Sequence, residues 1–182
     1  MEEYVDILDG NGNPTGQTKL KSEVHRDGDW HKSVHIWVIN SKNELLIQKR
    51  ASIKESWPNL FDISAAGHVS AGEKPITSAI REVREELGLD VSEKDFEYLF
   101  TVPQQITTNN GAFINNEFSD VYLVKTDLDL SKFELQKEEV AEVKFIPFKD
   151  LQSAIINKSS EFVPHPEEYR LLFEKLEGLF QS

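Results

Sequence analysis

Four glutamates lie close together in the middle of the sequence: Glu73, Glu82, Glu85 and Glu86. On a helix each residue advances by about 100°, which places the last three within one arc of the surface. Like charges three and four positions apart destabilise a helix unless a cation joins them. One interpretation is that these acids bind a cation, since carboxylate oxygens are the ligands that hard divalent cations prefer. The alternative is a solvated helix face on which Arg81 and Arg84 offset the acids.

The helix that would carry three of these glutamates is the clearest element in the sequence. It is predicted over Pro75–Leu87, with a proline in its first turn and Gly88 placed to cap its end. Its apolar residues recur at helical spacing on the neighbouring arc: Ile76, Ile80, Val83 and Leu87. A glycine-rich loop before the helix returns Glu73 towards it. Gly67 and Gly88 are interpreted as turn and cap residues.

The segment Gly67–Leu89, GHVSAGEKPITSAIREVREELGL, resembles the signature of the Nudix family. That signature is Gly, five residues, Glu, seven residues, Arg-Glu, an aliphatic residue, any residue, Glu-Glu, any residue, Gly and an aliphatic residue. The chain fills every fixed position, with Gly67, Glu73, Arg81, Glu82, Val83, Glu85, Glu86, Gly88 and Leu89. A match of this length is far more specific than a lone glycine motif.

The resemblance implies a reaction and a fold. Nudix enzymes hydrolyse a diphosphate linked to another group, using Mg²⁺ or Mn²⁺ held by the glutamates of the signature. By this resemblance Glu82, Glu85 and Glu86 are metal ligands. Glu73 supports them, and Arg81 orients them. The implied fold class is α/β (α+β), an α/β/α sandwich around a mixed β-sheet, with residues 1–182 forming a single Nudix hydrolase domain.

Outside this segment the chain is similar to the branch of the family that includes isopentenyl-diphosphate isomerase. The similar segments are YVDILDGNGNPTG, WHKSVHIWVIN, QKRASIKESWPN and GHVSAGE. In the isomerase three histidines and two glutamates hold a metal; the matching residues here are His25, His31, His68 and Glu117, with Asn115 in place of the second glutamate. The resemblance implies a second metal site, at which imidazoles favour Zn²⁺ or Mn²⁺ over Mg²⁺. Loop packing beside the cleft is the alternative.

Two departures from the isomerase argue against that activity. The isomerase needs a cysteine where this chain has Ala66, and it uses a tryptophan where His165 stands. We therefore expect a metal-dependent hydrolase acting on a small molecule such as a nucleoside or isoprenoid diphosphate. Isomerase activity and a non-catalytic Nudix module that binds a ligand are the alternatives. Glu85 and Glu117 are both candidates for the general base.

The same resemblance suggests how the substrate is held. Arg50 and Lys54 match residues that contact the diphosphate in the isomerase, and cations suit an anionic ligand. A surface pair with no role is the alternative. Trp57, Phe61 and Phe113 are candidates to line the pocket, whereas core packing is the expected role of Trp37.

Charge and composition exclude several classes of partner and site. The 182 residues include 20 Lys and Arg against 32 Asp and Glu, a formal charge of −12 that argues against nucleic acid as a partner. The lack of cysteine excludes disulfides and thiolate metal sites. The acidic start and the lack of a long apolar run argue against a signal peptide or membrane span. We expect a cytoplasmic protein; its oligomeric state stays open, with a homodimer as one alternative.

Strands are predicted on both sides of the central helix. The first 20 residues are expected to form two short strands around a turn, followed by a hairpin over 34–40 and 44–48 and a buried strand ending at residue 67. Further strands are expected near 96–102, 117–125 and 142–148, with a long loop between the first two. Two helices, over 148–157 and 166–180, follow.

Overall fold

The computed structural model describes residues 3–180, so Met1, Glu2, Gln181 and Ser182 of the predicted domain lie outside the described residues. The strands within this range form one mixed sheet: β1 (Tyr4–Leu8), β2 (Pro14–Leu20), β3 (Trp30–Ile39), β4 (Glu44–Arg50), β5 (Phe61–Asp62), β6 (Ala65–His68), β7 (Phe96–Thr108), β8 (Phe113–Lys125) and β9 (Val140–Pro147). The helices are α1 (Lys21–Asp27), α2 (Pro75–Leu87), α3 (Phe148–Ile156) and α4 (Pro166–Phe180).

Strand β3 is the hub of the sheet. It runs parallel to β8 along its whole length, from the pair Trp30 and Asn116 to the pair Ile39 and Lys125. On its other edge it pairs antiparallel with β6 at one end and with β4 at the other. The sheet has a gap between β6 and β4. At this gap the hydroxyl of Ser64 accepts a hydrogen bond from Val38 N of β3 and donates one to Leu46 O of β4.

Alternation along β3 separates the two faces of the sheet. Val34, Ile36 and Val38 point to the face covered by α2, where they pack with buried residues such as Val83. Trp37 and Ile39 point to the opposite face, which α3 and α4 cover with apolar side chains. The predicted α/β/α sandwich around a mixed sheet is confirmed.

Helix α2 has the predicted bounds, Pro75–Leu87, because its start and stop signals are local. Pro75 lies in the first turn, and Gly88 ends the helix in the left-handed conformation with φ of 68°. A Cβ at position 88 would lie 2.9 Å from the backbone nitrogen of Glu134, so glycine is required both by φ and by the chain packed against it.

Three expectations about the elements were wrong. The short helix α1 was not predicted; it packs Val24 against Val5 and Ile7 of β1. The predicted long loop after residue 102 is instead a long hairpin, in which β7 continues to Thr108 and a short 3₁₀ turn, Asn109–Gly111, leads into β8. The single strand expected to end at residue 67 is two strands, β5 and β6, interrupted at the Ser64 bridge.

Among residues 3–180, none of the helices combines the length and the apolar character that crossing a bilayer requires.

Candidate active site

A cavity of about 1040 Å³ opens around the free edge of β6. Its walls come from β3, β6, β7 and β8, from α2, and from the loop between β4 and β5. Of the residues predicted to act in catalysis, metal binding or substrate binding, all but His31 and Glu73 line this cavity. His31 lies 3.4 Å from Glu117, which does line it. Glu73 joins them through Arg81, whose Nη2 lies 3.7 Å from its carboxylate.

Glu82 and Glu86 are buried where α2 faces β6. The carboxylate of Glu86 accepts from Gln48 Nε2 at 3.2 Å and from the backbone nitrogen of Ala66 at 3.3 Å. The carboxylate of Glu82 lies against Gly67, where an added Cβ would approach Glu82 Cδ to 2.1 Å. Gly67 belongs to strand β6, so its interpretation as a turn residue was wrong; the close approach of Glu82 requires it.

The electrostatics of this pair favour a cation. Burial and, next, the neighbouring charge of Glu82 together raise the pKa of Glu86 to about 8. Burial likewise raises the pKa of Glu82 to about 7, against the opposing effect of Arg81. Two carboxyl groups that are costly to ionise, placed together in a polar cavity, form a ligand set that fits a hard divalent ion.

Arg81 links the glutamates of the signature. Its Nη1 atom lies 2.5 Å from Glu82 Oε1 and 3.5 Å from Glu85 Oε2, and its Nη2 donates to the carbonyl of His68 at 3.2 Å. Glu73 accepts a hydrogen bond from Ser78 Oγ at 2.5 Å. Glu85 is the most exposed of the four acids, with 53% of its side chain accessible. The guanidinium thus holds Glu82 and Glu85 beside strand β6.

The three predicted histidines come together at the other side of β6. His25 lies on α1, His31 on β3 and His68 on β6, and one ring nitrogen from each lies within 4.8 Å of the others. Glu117, on β8 beside His31 in the register, places Oε1 3.4 Å from Nε2 of His31 and of His68. Asn115 also lines the cavity here.

Several polar atoms of this cluster are buried without a hydrogen-bond partner among the described residues: both ring nitrogens of His25, Nε2 of His31, Nε2 of His68 and Oδ1 of Asn115. Burial lowers the pKa of His25 to about 4 and also lowers the pKa of His68, so these rings favour the neutral form, which has a free lone pair. His31 Nδ1 lies 3.1 Å from the carbonyl of Asp29, a contact that directs Nε2 into the cluster. The donor set therefore fits a transition metal or Zn²⁺.

Glu117 adds a negatively charged carboxylate to the three histidines. Burial by itself raises the pKa of this carboxyl group, but His31 and His68 outweigh burial and hold the pKa well below its usual range. An ionised carboxylate beside imidazoles is a common metal-binding combination. Loop packing, the alternative interpretation, does not account for so many buried polar atoms without partners.

Arg50 and Lys54 line the cavity, but both already have anionic partners. Arg50 Nη1 donates to Asp62 Oδ2 at 3.0 Å, and its Nε donates to the carbonyl of Ser56 at 3.0 Å. Lys54 forms an ion pair with Glu139. Trp57 and Phe113 line the cavity as well, whereas Trp37 and Phe61 are buried in the core. The expected core role of Trp37 is confirmed, and the expected pocket role of Phe61 was wrong.

Sequence reasoning missed a buried polar network at the inner end of the cavity. Glu168 of α4 accepts from His35 Nδ1 at 2.6 Å, from Trp37 Nε1 at 2.9 Å and from Gln104 Nε2 at 3.1 Å. His165 bridges Gln104 Oε1 at 3.1 Å and Asp62 Oδ1 at 2.9 Å. One signal was available: His35 lies in the predicted strand over 34–40, and its spacing of four from His31 puts both on one face of an extended chain.

The charges of this network stabilise one another. Burial by itself lowers the pKa of His35, but the charge of Glu168 and its hydrogen bond outweigh burial and raise the pKa to about 9. Burial by itself raises the pKa of Asp62, but His165 and Arg50 hold it far below its usual range. His35 is therefore a cation at neutral pH, and Asp62 is an anion.

Comparison with known proteins places this cavity in a family context. The model of the NUDIX domain matches residues 29–166. The chain is 44% identical over 178 residues to Nudix hydrolase 3 of Arabidopsis thaliana, a match that covers 95% of this chain and 23% of that protein. It is 37% identical over 169 residues to an uncharacterized Nudix hydrolase of Listeria monocytogenes, covering 91% of this chain and 90% of that protein. The chain thus spans less than a quarter of the plant protein but most of the bacterial one.

The chain is also similar to an isomerase and to a solved structure of the same fold. An isopentenyl-diphosphate Delta-isomerase of Kocuria rhizophila is 32% identical over 163 residues, covering 89% of this chain and 87% of that protein. A crystal structure of DR0079 from Deinococcus radiodurans matches with a TM-score of 0.70 at 20% identity, covering 92% of this chain and 98% of that chain. The chain is thus similar to the isomerase branch, but its sequence identity to that enzyme is lower than to the two hydrolases.

Proposed function

The chain belongs to the Nudix family, and on that premise we propose that it is a Mg²⁺- or Mn²⁺-dependent hydrolase that cleaves the diphosphate linkage of a small molecule. The observation that carries the proposal is the pair of buried carboxyl groups that α2 places against β6 in the cavity, Glu82 beside Gly67 and Glu86 bonded to the backbone nitrogen of Ala66. Burial raises the pKa values of both groups. Such a pair is unfavourable as two free anions and favourable as a cation site.

The roles of the residues follow from their positions. Glu82 and Glu86 would hold the cation, with Glu85 and Glu73 completing its shell directly or through water. When bound, the cation supplies charge neutralisation of the diphosphate and lowers the pKa of a bound water. Arg81 positions Glu82 and Glu85, as its contacts of 2.5 Å and 3.5 Å indicate.

The attacking water needs a base, and the site offers two. Glu85 is half exposed beside the other glutamates, so it can reach a water bound at the cation. Glu117 is buried against His31 and His68, which hold it ionised and committed to the histidine cluster. We therefore assign the base role to Glu85 and a ligand role to Glu117, in a second site that it shares with His25, His31 and His68.

The substrate anion would be held by the cations at the cavity wall. Lys54 and Arg50 are paired with Glu139 and Asp62 in this structure, so a diphosphate must compete with these carboxylates or add to the free N–H groups of Arg50. Anion binding by guanidinium and ammonium groups is strong in a partly buried cavity. The acidic surface as a whole repels anions, which leaves this wall as the place where a diphosphate is attracted.

The chain lacks the residue that would move a proton on the substrate carbon in the isomerase reaction. Ala66 supplies no proton carrier at the position where the isomerase has cysteine, and the chain has no cysteine elsewhere. The position of the isomerase tryptophan carries His165, which is tied to Asp62 and Gln104. Cytoplasmic location and a homodimer stay predictions.

The decisive experiment is a phosphate-release screen across nucleoside, isoprenoid and cofactor diphosphates with Mg²⁺ and Mn²⁺ for the native protein and Glu86→Gln. The substitution keeps the size of the side chain but removes its charge, so we expect turnover to fall at least about 100-fold with the fold intact. Glu142→Gln on the exposed part of β9 is the matched control and should leave turnover unchanged.

Three outcomes would overturn the proposal. Full activity of Glu86→Gln would remove the cation site from the mechanism. Tight binding of a diphosphate without turnover under either metal would favour a non-catalytic module. Conversion of isopentenyl to dimethylallyl diphosphate would favour the isomerase.

A further inference from the structure

The buried network at the inner end of the cavity adjoins the glutamates of α2. His35 is the register partner of Ala66, whose backbone nitrogen donates to Glu86. Along β3, His35 lies four residues from His31, which corresponds to about 13 Å in a strand. His35 and Glu86 line the same cavity and are joined through Ala66, so a substrate whose diphosphate lies at Glu86 can place its organic group against this network.

The two carboxylates of the network are turned away from the cavity or covered by donors. Both oxygens of Glu168 accept hydrogen bonds, and Glu168 does not line the cavity. Asp62 Oδ1 accepts from His165 and from the backbone nitrogen of Ile63, while Oδ2 accepts from Arg50. The acids thus serve to orient donors and leave little acceptor surface for a ligand.

The groups that remain for a ligand are donors. Gln104 uses one amide N–H on Glu168, which leaves the second N–H. His35 uses Nδ1 on Glu168, and its Nε2 makes no hydrogen bond among residues 3–180 while the ring lines the cavity. The raised pKa of His35 places a proton on that nitrogen at neutral pH.

We propose that the inner end of the cavity, formed by His35 and Gln104, binds an oxygen anion or another strong acceptor group carried by the organic part of the substrate. The proposal rests on the proposed function, because it takes the diphosphate to lie at Glu82 and Glu86. The inner end of the cavity would favour diphosphate substrates whose organic part ends in a carboxylate or phosphate over substrates whose organic part ends in a hydrocarbon. An isoprenoid end would leave these buried donors without partners, which is costly.

The test uses matched pairs of simple probes. Alkyl diphosphates of three to six carbons are compared with diphosphates of the same length that end in a carboxylate, a phosphonate or a neutral amide. We expect kcat/KM for the best anionic probe to exceed that of its alkyl match at least about 10-fold, as for a hydrogen bond to a charged group. Preference for the carboxylate or for the phosphonate identifies the kind of anion. Equal or better turnover of the alkyl probes would overturn the inference.

Two neighbouring glutamines of β7 provide a matched variant and control. Gln104→Leu removes donors that face the cavity, whereas Gln105→Leu changes an exposed side chain on the opposite face of the hairpin. The anionic preference is the ratio of kcat/KM for an anionic probe to that for its alkyl match. We expect Gln104→Leu to reduce this ratio about 5- to 10-fold and Gln105→Leu to leave it unchanged. An unchanged preference in Gln104→Leu would contradict the assignment of that residue.

Equilibrium binding separates this inference from the proposed hydrolysis. Methylene-bisphosphonate versions of the same probes cannot be hydrolysed, and their dissociation constants can be measured by calorimetry with Mg²⁺ present. Tighter binding of the anionic probes without turnover of any diphosphate would support the inference and overturn the hydrolase. Hydrolysis of the diphosphates without tighter binding of the anionic probes would support the hydrolase and overturn the inference.

Discussion

The carboxylate of Glu82 fills the space that any side chain at position 67 would need. A Cβ built on Gly67 would lie 2.1 Å from Glu82 Cδ and 2.2 Å from Oε1, well inside van der Waals contact. The glycine of the signature is thus explained by packing against a glutamate of the same signature, fifteen residues later. The strand and the helix approach each other closely enough to enclose that carboxylate because position 67 has no side chain.

Gly67→Ala should therefore displace Glu82 and weaken divalent-metal binding. We expect turnover to fall at least about 10-fold and the free energy of unfolding to fall by about 1 to 3 kcal/mol, the usual cost of overpacking. Activity assays and urea denaturation measure these effects. Gly10→Ala is a suitable control, since the nearest atom to its added Cβ is 3.9 Å away. Native metal affinity in Gly67→Ala would contradict the steric argument.

The raised pKa values of Glu82 and Glu86, about 7 and about 8, predict an unusual pH dependence for the metal-free protein. Between the ordinary value of 4.5 and these values the folded state binds more protons than the unfolded state, so stability falls as pH rises through this window. The loss should be on the order of a few kcal/mol. It should shrink in Glu86→Gln and on addition of Mg²⁺ at pH 8. Thermal melting with and without metal at pH 5 to 8 measures it, and a flat profile would count against it.

The histidine cluster should bind a metal through His68. We expect Zn²⁺ or Mn²⁺ to raise the melting temperature of the chelator-treated protein, and His68→Ala to weaken the affinity at least about 10- to 100-fold. Lys32→Ala, on the opposite face of β3, is the control because its side chain pairs with Asp120. Competition with a chromogenic chelator measures the affinity. A metal affinity of His68→Ala equal to that of the native protein would contradict the metal site and favour a packing role for the histidines.

Glu168 should be one of the most sensitive positions for stability. Glu168→Leu removes the acceptor shared by His35, Trp37 and Gln104 and leaves a buried cation unpaired, so we expect a loss of about 3 to 5 kcal/mol. Glu167→Leu, at an exposed neighbour that forms an ion pair with Arg170, should cost less than about 1 kcal/mol. Urea denaturation compares the two. Similar losses in both variants would contradict this prediction.

The same network adds a pH dependence of its own above neutrality. Because the pKa of His35 is raised from 6.5 to about 9, its stabilising effect is complete below pH 6.5 and is lost as pH rises through 9. Glu168→Leu should remove this alkaline loss. Unfolding curves at pH 7 and pH 10 distinguish the two proteins.

The parts of the site that the sequence predicts are those with local signals. Helix α2 follows from Pro75, its apolar spacing and Gly88, and these also determine which glutamates share an arc. The histidine cluster required a resemblance, because His25, His31 and His68 come from three different elements. Their convergence depends on the pairing of β3 with β6 and on the position of α1.

The parts that were missed depend on contacts distant in sequence. Helix α1 has no side-chain cap and is held by Val24 in a small core with β1, so its propensity alone did not predict it. His35 and Glu168 are 133 residues apart, and neither belongs to a recognisable motif. The bond between them exists because α4 packs on the face of β3 that carries His35.

Strand β6 places three consecutive residues beside the two proposed metal sites. The backbone nitrogen of Ala66 holds Glu86, Gly67 adjoins Glu82, and His68 belongs to the histidine cluster. Because a shift of this four-residue strand would move all three residues, we expect a metal bound at one proposed site to change the affinity of the other, and linkage requires the two factors to be equal. Titration of one metal in the presence and absence of the other measures this coupling.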